Sequence, residues 1–293
     1  MKFLVGYSAD SGGAEALAFG LQLAQAGGGS LTVCTIVPET WGHPSMGRVD
    51  VEYARFLDQH AQKALEKARA QVGDRVPAQY LSRAASAVRE GLLAVAEQEA
   101  VDCIVFGSAR NTPRGRIREG SVTSSFLYSA PIPIALTPRG YAPDAETHLW
   151  RITCAVSPAA ESMQTARIAH RLCGQLKLSL RLMTFVVRDR QMYPTGAGYD
   201  AENLVANQWR TQATEGQSKI IAELPPDPPA TAGIADGKSW KAAFESMPWR
   251  NGEIIAVGSS HLGPVLRVFL GSNAAKIVHQ ATIPCLILPR HAD

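Results

Sequence analysis

Residues 101–139 read VDCIVFGSARNTPRGRIREGSVTSSFLYSAPIPIALTPR, and residues 252–290 read GEIIAVGSSHLGPVLRVFLGSNAAKIVHQATIPCLILPR. The two stretches align without a gap at an offset of 151 residues. Each runs from an apolar strand to Gly-Ser, through a loop to a second Gly-Ser, then a helix, a proline, an apolar strand and Pro-Arg. Gly107 matches Gly258, Gly120 matches Gly271, Pro133 matches Pro284 and Pro138 matches Pro289. Glycine permits backbone conformations that other residues avoid and proline fixes φ, so their joint recurrence at one spacing implies duplication of a single structural unit.

Working outward, the start of each half repeats the pattern more loosely. KFLVGYSADSGGAEALAFGLQLA and RITCAVSPAAESMQTARIAHRLC each give a short apolar strand, a small polar turn around Ser8 or Ser157, and an amphipathic helix. The segment PRGYAPDAETHL, residues 138–149, has the proline and polar content of a linker. The expected domains are therefore 1–140 and 150–293. In the first, strands are expected at 3–7, 30–37, 78–82, 103–106 and 132–136. Helices are expected at 13–26, 51–72, 86–100 (capped by Ser86) and 121–129. Strands alternating with helices imply a parallel sheet with right-handed crossovers. The fold class is α/β: two tandem doubly wound, mainly parallel five-stranded sheets with helices on both faces. The second half is rougher. ELPPDPPATAGIADG, residues 223–237, carries four prolines and is expected to replace a tidy helix–strand connection with a loop.

Composition sets bounds on function. With 46% hydrophobic and 19% charged residues and a net charge of +3, the chain is neither a general nucleic-acid binder nor a membrane-surface binder. No apolar run reaches transmembrane length. The opening MKFLVGYSAD reads as a strand rather than a signal peptide, so a cytoplasmic location is expected. The five cysteines include no CxxC pair and mostly sit in apolar runs, which points to buried reduced thiols rather than disulfides or metal ligands. The seven histidines are scattered, without HExxH or a close metal spacing. No nucleophile elbow is present. Trp209, Trp240 and Trp249 read as core or interface anchors rather than a base-stacking platform.

In open parallel sheets, ligands bind at the carboxyl ends of the strands near the switch in strand order. Ser8 and Asp10 after the first strand, Val37 at the end of the second, and the glycine-bearing loop after the fourth stand at that edge. There Gly107 and Gly120 allow close backbone approach, and the helix opening at Ser121 offers free N–H groups to a phosphate. Ser108, Ser121, Val122 and Thr123 complete the candidate set, with Thr123 and Ser121 adding hydroxyls. The simpler reading of Ser121 and Ser272 is helix N-capping. NTPRGRIRE, residues 111–119, holds Arg114, Arg116 and Arg118, with Arg110 just before it. Guanidinium forks suit phosphate oxygens, and the simpler reading is a solvated basic loop. The matching LGPVLRVFL, residues 262–270, is largely apolar and suits packing.

These residues resemble the universal stress protein family, whose fold is Rossmann-like, of the adenine nucleotide alpha hydrolase type. Its nucleotide-binding members carry Gly, two residues, Gly, nine residues, then Gly-Ser or Gly-Thr. Here the first half has Gly107, Arg110 and Gly120-Ser121, and the second has Gly258, His261 and Gly271-Ser272. The spacing fits in both halves, with Arg110 or His261 in place of the middle glycine. Family members that bind nucleotide place an Asp at the end of the first strand, where Ser8 and Ser157 stand here. The resemblance implies a tandem, non-catalytic stress-response protein binding ATP or another adenine nucleotide, mainly in the first domain. Ser157, Gly258, Ser259, His261, Gly271 and Ser272 are the second-domain counterparts. It also implies pairing of the two domains within the chain at residues 132–136 and 285–288, with a homodimer as a further option. Two alternatives stand beside this reading: an interaction scaffold that has lost nucleotide binding, and a weak ATPase or adenylyl-transfer enzyme. The latter lacks an evident general base or metal-binding carboxylate pair. Ser11-Gly12-Gly13 also resembles the phosphate loop of PP-loop ATP pyrophosphatases, but Glu15-Ala16 follow where that family has Asp-Ser.

Overall fold

A computed structural model describes residues 1–8, 13–39, 49–127, 131–159, 161–188, 199–259 and 270–289. The chain divides into two units, Met1–Asp144 and Ala145–Asp293. In the first, the elements run β1 (Lys2–Gly6), α1 (Gly13–Gly27), β2 (Ser30–Pro38), α2 (Val49–Val72), β3 (Ala78–Ala85), α3 (Val88–Gln98), β4 (Cys103–Phe106), α4 (Ser121–Leu127) and β5 (Ile134–Leu136). In the second they run β6 (Arg151–Ala155), α5 (Glu161–Leu176), β7 (Ser179–Val187), α6 (Tyr199–Glu223), β8 (Ala230–Gly237), α7 (Trp240–Glu245), β9 (Glu253–Gly258), α8 (Ser272–Gln280) and β10 (Cys285–Leu288).

The strand order of the first unit is β3-β2-β1-β4-β5, with parallel pairing. The second unit repeats it as β8-β7-β6-β9-β10, again parallel. The chain thus winds outward from β1 to β3, returns beside β1 as β4, and continues the other way. Right-handed crossovers then place α1 and α2 on one face and α3 and α4 on the other. The direction reverses between β1 and β4, and between β6 and β9.

The core forms where the apolar runs predict. Phe3, Leu4 and Val5 of β1 and Ile104 and Val105 of β4 are buried. Helix α1 is rich in Ala and Leu and buries Ala16, Leu17, Phe19 and Leu23 against the sheet. It can lie that close because Gly20 faces Val5, whose Cγ2 would stand 2.8 Å from an added Cβ. The helix stops at Gly28, which takes φ +59°, while the Gly29 amide donates to the Ala24 carbonyl at 2.8 Å. This is the Schellman closure that glycine favours. In the repeat, α5 closes the same way with Lys177 at φ 57° and Leu178 N donating to Cys173 O at 2.9 Å.

Two local expectations change. The proline-rich stretch in the second half does not stay a loop through residue 237. Its prolines all precede Ala230, and the residues after them form β8, paired with β7 from Leu180↔Ala230 to Val187↔Gly237. Ser86 does not cap α3. The cap position is Ala87 at φ −140°, without a side-chain bond, and the Ser86 hydroxyl donates to Glu90 instead. All five cysteines are free and buried.

Candidate functional site

The first strand ends at Gly6, and the chain continues through Tyr7 and Ser8. Tyr7 N donates to Cys34 O at 2.8 Å, and the Thr35 hydroxyl donates to Tyr7 O at 3.0 Å. These bonds hold the exit of β1 against the end of β2. Gly13 opens α1 so close to the exit of β1 that an added Cβ would stand 2.6 Å from the Ser8 carbonyl oxygen. Only glycine fits there without a shift.

The loop from Gly107 to Gly120 is folded onto the end of the last strand. Ser108 is buried, and its hydroxyl donates to Thr137 O at 2.7 Å. Ala109 N donates to Arg118 O at 2.9 Å, Gly115 N to Arg139 O at 2.8 Å, and Arg139 N to Arg116 O at 2.8 Å. Gly115 takes φ +72° at the tip, and Ile117 anchors the loop from inside at 1% exposure. Glu15, in the first turn of α1, accepts from Gly140 N at 3.0 Å and pairs with Arg139 at 3.3 Å. The Arg139 segment is therefore fastened to α1 as well as to the loop.

These two structures border one cleft of about 550 Å³ at the carboxyl ends of β1, β2 and β4. Ser8, Val37, Gly107, Ser108, Arg110, Gly120, Ser121, Val122 and Thr123 all line it. Arg114 and Arg116 are not among its lining residues. Arg114 lies against Gly140, where an added Cβ would meet its Nε at 3.0 Å, and the Arg116 segment is engaged with Arg139. Asp10 and His261 lie outside the described residues. Gly120 keeps the floor open, since an added Cβ would meet nothing nearer than Ala109 Cβ at 3.9 Å. Its carbonyl accepts the Ser124 amide at 2.8 Å, which leaves the first-turn N–H groups of α4 at the cleft.

The sequence reading missed the other side. Thr35, Ile36, Leu57, His60, Val88 and Leu92 also line the cleft. Most are apolar and belong to β2, α2 and α3, and their positions follow from strand register rather than from any motif. The His60 ring stacks on Phe56, with centroids 6.3 Å apart. The cleft thus has an apolar side toward β2 and a polar, glycine-lined side toward β4. Cys34 lines it too, but burial pushes its thiol up to about 12, so it stays neutral and is a poor nucleophile at physiological pH. Burial also raises Tyr7.

The second unit has a smaller cleft of about 360 Å³ in the corresponding place. Ser157, Gly258, Ser259, Gly271 and Ser272 line it. Gly258 is required for packing, because an added Cβ would stand 2.4 Å from Thr165 Oγ1. Ser272 does not cap α8. Gly271 is the cap residue, at φ −65° and ψ 162°, and Ser272 is the first helical position. The Ser157 amide donates to Ser162 Oγ at 2.8 Å. Among the described residues no cluster of three His, Cys, Asp or Glu could hold a metal ion. None of their helices is long and apolar enough to cross a membrane.

The sequence model of the universal stress protein family matches residues 1–138 and again residues 150–289. A universal stress protein of Mycobacterium tuberculosis (strain ATCC 25618 / H37Rv) is 35% identical over 292 residues, covering 99% of this chain and 100% of its own length. One of Mycobacterium bovis matches to the same extent. The crystal structure of a universal stress protein from Archaeoglobus fulgidus DSM 4304 superposes with a TM-score of 0.62 at 13% identity, covering 99% of this chain and 98% of that one. That likeness speaks to the fold. With a repeated sheet order, a repeated cleft at the strand ends and a family match in each half, the chain belongs to the universal stress protein family.

Proposed function

We propose that the first unit binds an adenine nucleotide without transforming it, and that binding serves a stress response. The observation that carries this reading is the convergence of Gly107, Arg110, Gly120 and Ser121 on one cleft whose β2 side is apolar. A nucleotide has the same division. Its base suits Ile36, Val37, Val88 and Leu92, and its phosphates suit Arg110 and the first N–H groups of α4. A volume of about 550 Å³ is within the range of small-molecule sites. The family resemblance supplies the choice of adenine.

A non-catalytic role is supported by the lining. Its described residues contain no Asp or Glu, so a catalytic carboxylate would have to come from outside them, where Asp10 lies. Calorimetry with ATP, ADP, AMP and cyclic AMP tests the reading. Saturable binding by the parent chain, lost in Gly120→Val, is expected. Absence of heat or thermal shift with all four removes it and leaves the scaffold reading, which Ser8 and Arg110 at family-departing positions favour. In that case no nucleotide would be released from the purified protein on denaturation.

A further inference from the structure

We propose that the amino-terminal half of α2 is a docking face for α2 of a second copy of this chain, the two helices lying antiparallel. Helix α2 changes character along its length. Its later turns bury Ala61, Ala64, Leu65, Ala68 and Val72, which share one helical face and pack toward β2 and β3. Before Ala61 the large apolar side chains turn outward. Tyr53 is 57% exposed and Phe56 61%. Together with Val51 and with Val88, which opens α3, they are the large apolar residues that stand exposed among the described residues. Tyr53, Phe56 and His60 recur at i, i+3 and i+7, so they form one stripe. Within it the Phe56 ring stacks on His60, with centroids 6.3 Å apart.

The fold does not require this exposure, because the second unit avoids it. Strand register aligns the units: Leu31 pairs with Ala78 in the first and Leu180 with Ala230 in the second. Val88 at the start of α3 then corresponds to Trp240 at the start of α7. Trp240 packs on Phe185, with centroids 6.1 Å apart. Arg210 of α6 is drawn onto Asp236 of β8, which also holds Arg188 at 3.1 Å. Among the described residues of the second unit, no large apolar side chain stands exposed. An apolar cluster left on the surface of one unit alone marks an interaction site.

Charge singles out a second copy as the occupant. Glu52 and Lys63 are both exposed. They lie about three turns apart on one flank of the stripe. Neither forms an ion pair with another described residue. Around a two-fold axis every contact is made twice. An antiparallel pairing that sets Phe56 against His60 of the second copy also sets Glu52 beside Lys63 of the second copy, and the reverse. A parallel pairing would set like charges together. The stripe is therefore self-complementary in one orientation, and a docking partner of unrelated sequence would not account for the matched charges. A single helix-on-helix contact is at the small end of interface sizes, so the dimer should dissociate in the micromolar range. Leu57, His60 and Val88 also border the first cleft, so the second copy is seated at its mouth. The inference holds whatever that cleft binds.

Sedimentation equilibrium of the full chain across the micromolar range tests it. A reversible monomer–dimer equilibrium is expected. Phe56→Asp should weaken the dimer at least tenfold. Glu52→Lys turns two attractive pairs into two repulsive ones and should weaken it by about tenfold. Adding Lys63→Glu to Glu52→Lys reverses both charges and should restore most of the parent affinity. A monomer at every concentration, a dimer indifferent to Phe56→Asp, or a double charge variant as weak as Glu52→Lys overturns the proposal. Should Phe56→Asp lose the native circular dichroism, the charge variants decide, since Glu52 and Lys63 are exposed and make no ion pair within the described chain.

Discussion

Arg181 Nη2 lies 2.9 Å from Glu253 Oε2, and the Glu253 side chain is fully buried. The pair joins β7 to the start of β9. Arg151 of β6 binds the other carboxylate oxygen at 2.5 Å, and Arg181 Nε donates to Thr153 Oγ1 at 3.1 Å. One carboxylate therefore balances two guanidinium groups in the interior of the second unit. Glu253→Leu would leave both without a countercharge. It should lower stability by about 3–5 kcal/mol, as removal of one member of a buried pair does. Urea unfolding of Glu253→Leu and of Arg181→Met/Glu253→Leu tests this. The double variant should recover most of the loss, and a double variant as unstable as the single would contradict it.

Gly13 and Gly120 border the same cleft but for different reasons. Gly13→Ala places a methyl group 2.6 Å from the Ser8 carbonyl oxygen. It should destabilise the first unit by about 1–3 kcal/mol, the usual range for overpacking. Gly120→Ala meets nothing closer than 3.9 Å and should leave thermal stability nearly unchanged while weakening nucleotide binding. A Gly120→Ala melting temperature as depressed as that of Gly13→Ala would show that the floor of the cleft is filled by the protein itself.

Arg110 lines the cleft and Arg114 does not. Charge-assisted hydrogen bonds contribute about 1.5–3 kcal/mol. Arg110→Ala should therefore weaken ATP binding by roughly tenfold or more, with a smaller effect on adenosine. Arg114→Ala should leave both unchanged. Titrations at two salt concentrations should show a shallower salt dependence for Arg110→Ala than for the parent chain.

Stability should fall on the alkaline side. Burial pushes the Cys34 and Cys173 thiols from 9.0 up to about 12, and it raises Cys103, Cys154 and Tyr141 as well. The unfolded chain loses these protons near their ordinary values, while the folded chain keeps them. Above pH 9 the unfolded state thus holds fewer protons, and stability declines as pH rises. Each thiol contributes about 1.4 kcal/mol per pH unit in that window. Below about pH 8 the contribution is complete and flat. The urea midpoint should drop between pH 8 and pH 10. A constant midpoint over that interval would show that the thiols ionise in the folded protein.

The parallel order of strands and helices was legible because hydrophobic period and glycine spacing are local signals. β8 was not, because four prolines ahead of it mask a strand whose residues, such as Thr231 and Ile234, look unremarkable without β7 beside them. The glycine-lined side of the first cleft was legible from one loop. Its apolar side was not, since Ile36 and Val88 become neighbours of Gly107 only through sheet register and crossover direction. Side-chain direction was also hidden. Nothing in NTPRGRIRE separates Arg114, which turns to Gly140, from its neighbours. Trp240 reads as a core anchor until strand pairing shows that it takes the place of Val88.

The loop that presents Arg110 is fastened before any ligand arrives, through Ser108 to Thr137 and through Arg116 to Arg139. Little chain entropy remains to be lost on that side when the cleft fills. Encounter should then be governed by diffusion and charge rather than by loop closure. Differences in affinity among ligands should appear in residence times, with association rates nearly alike.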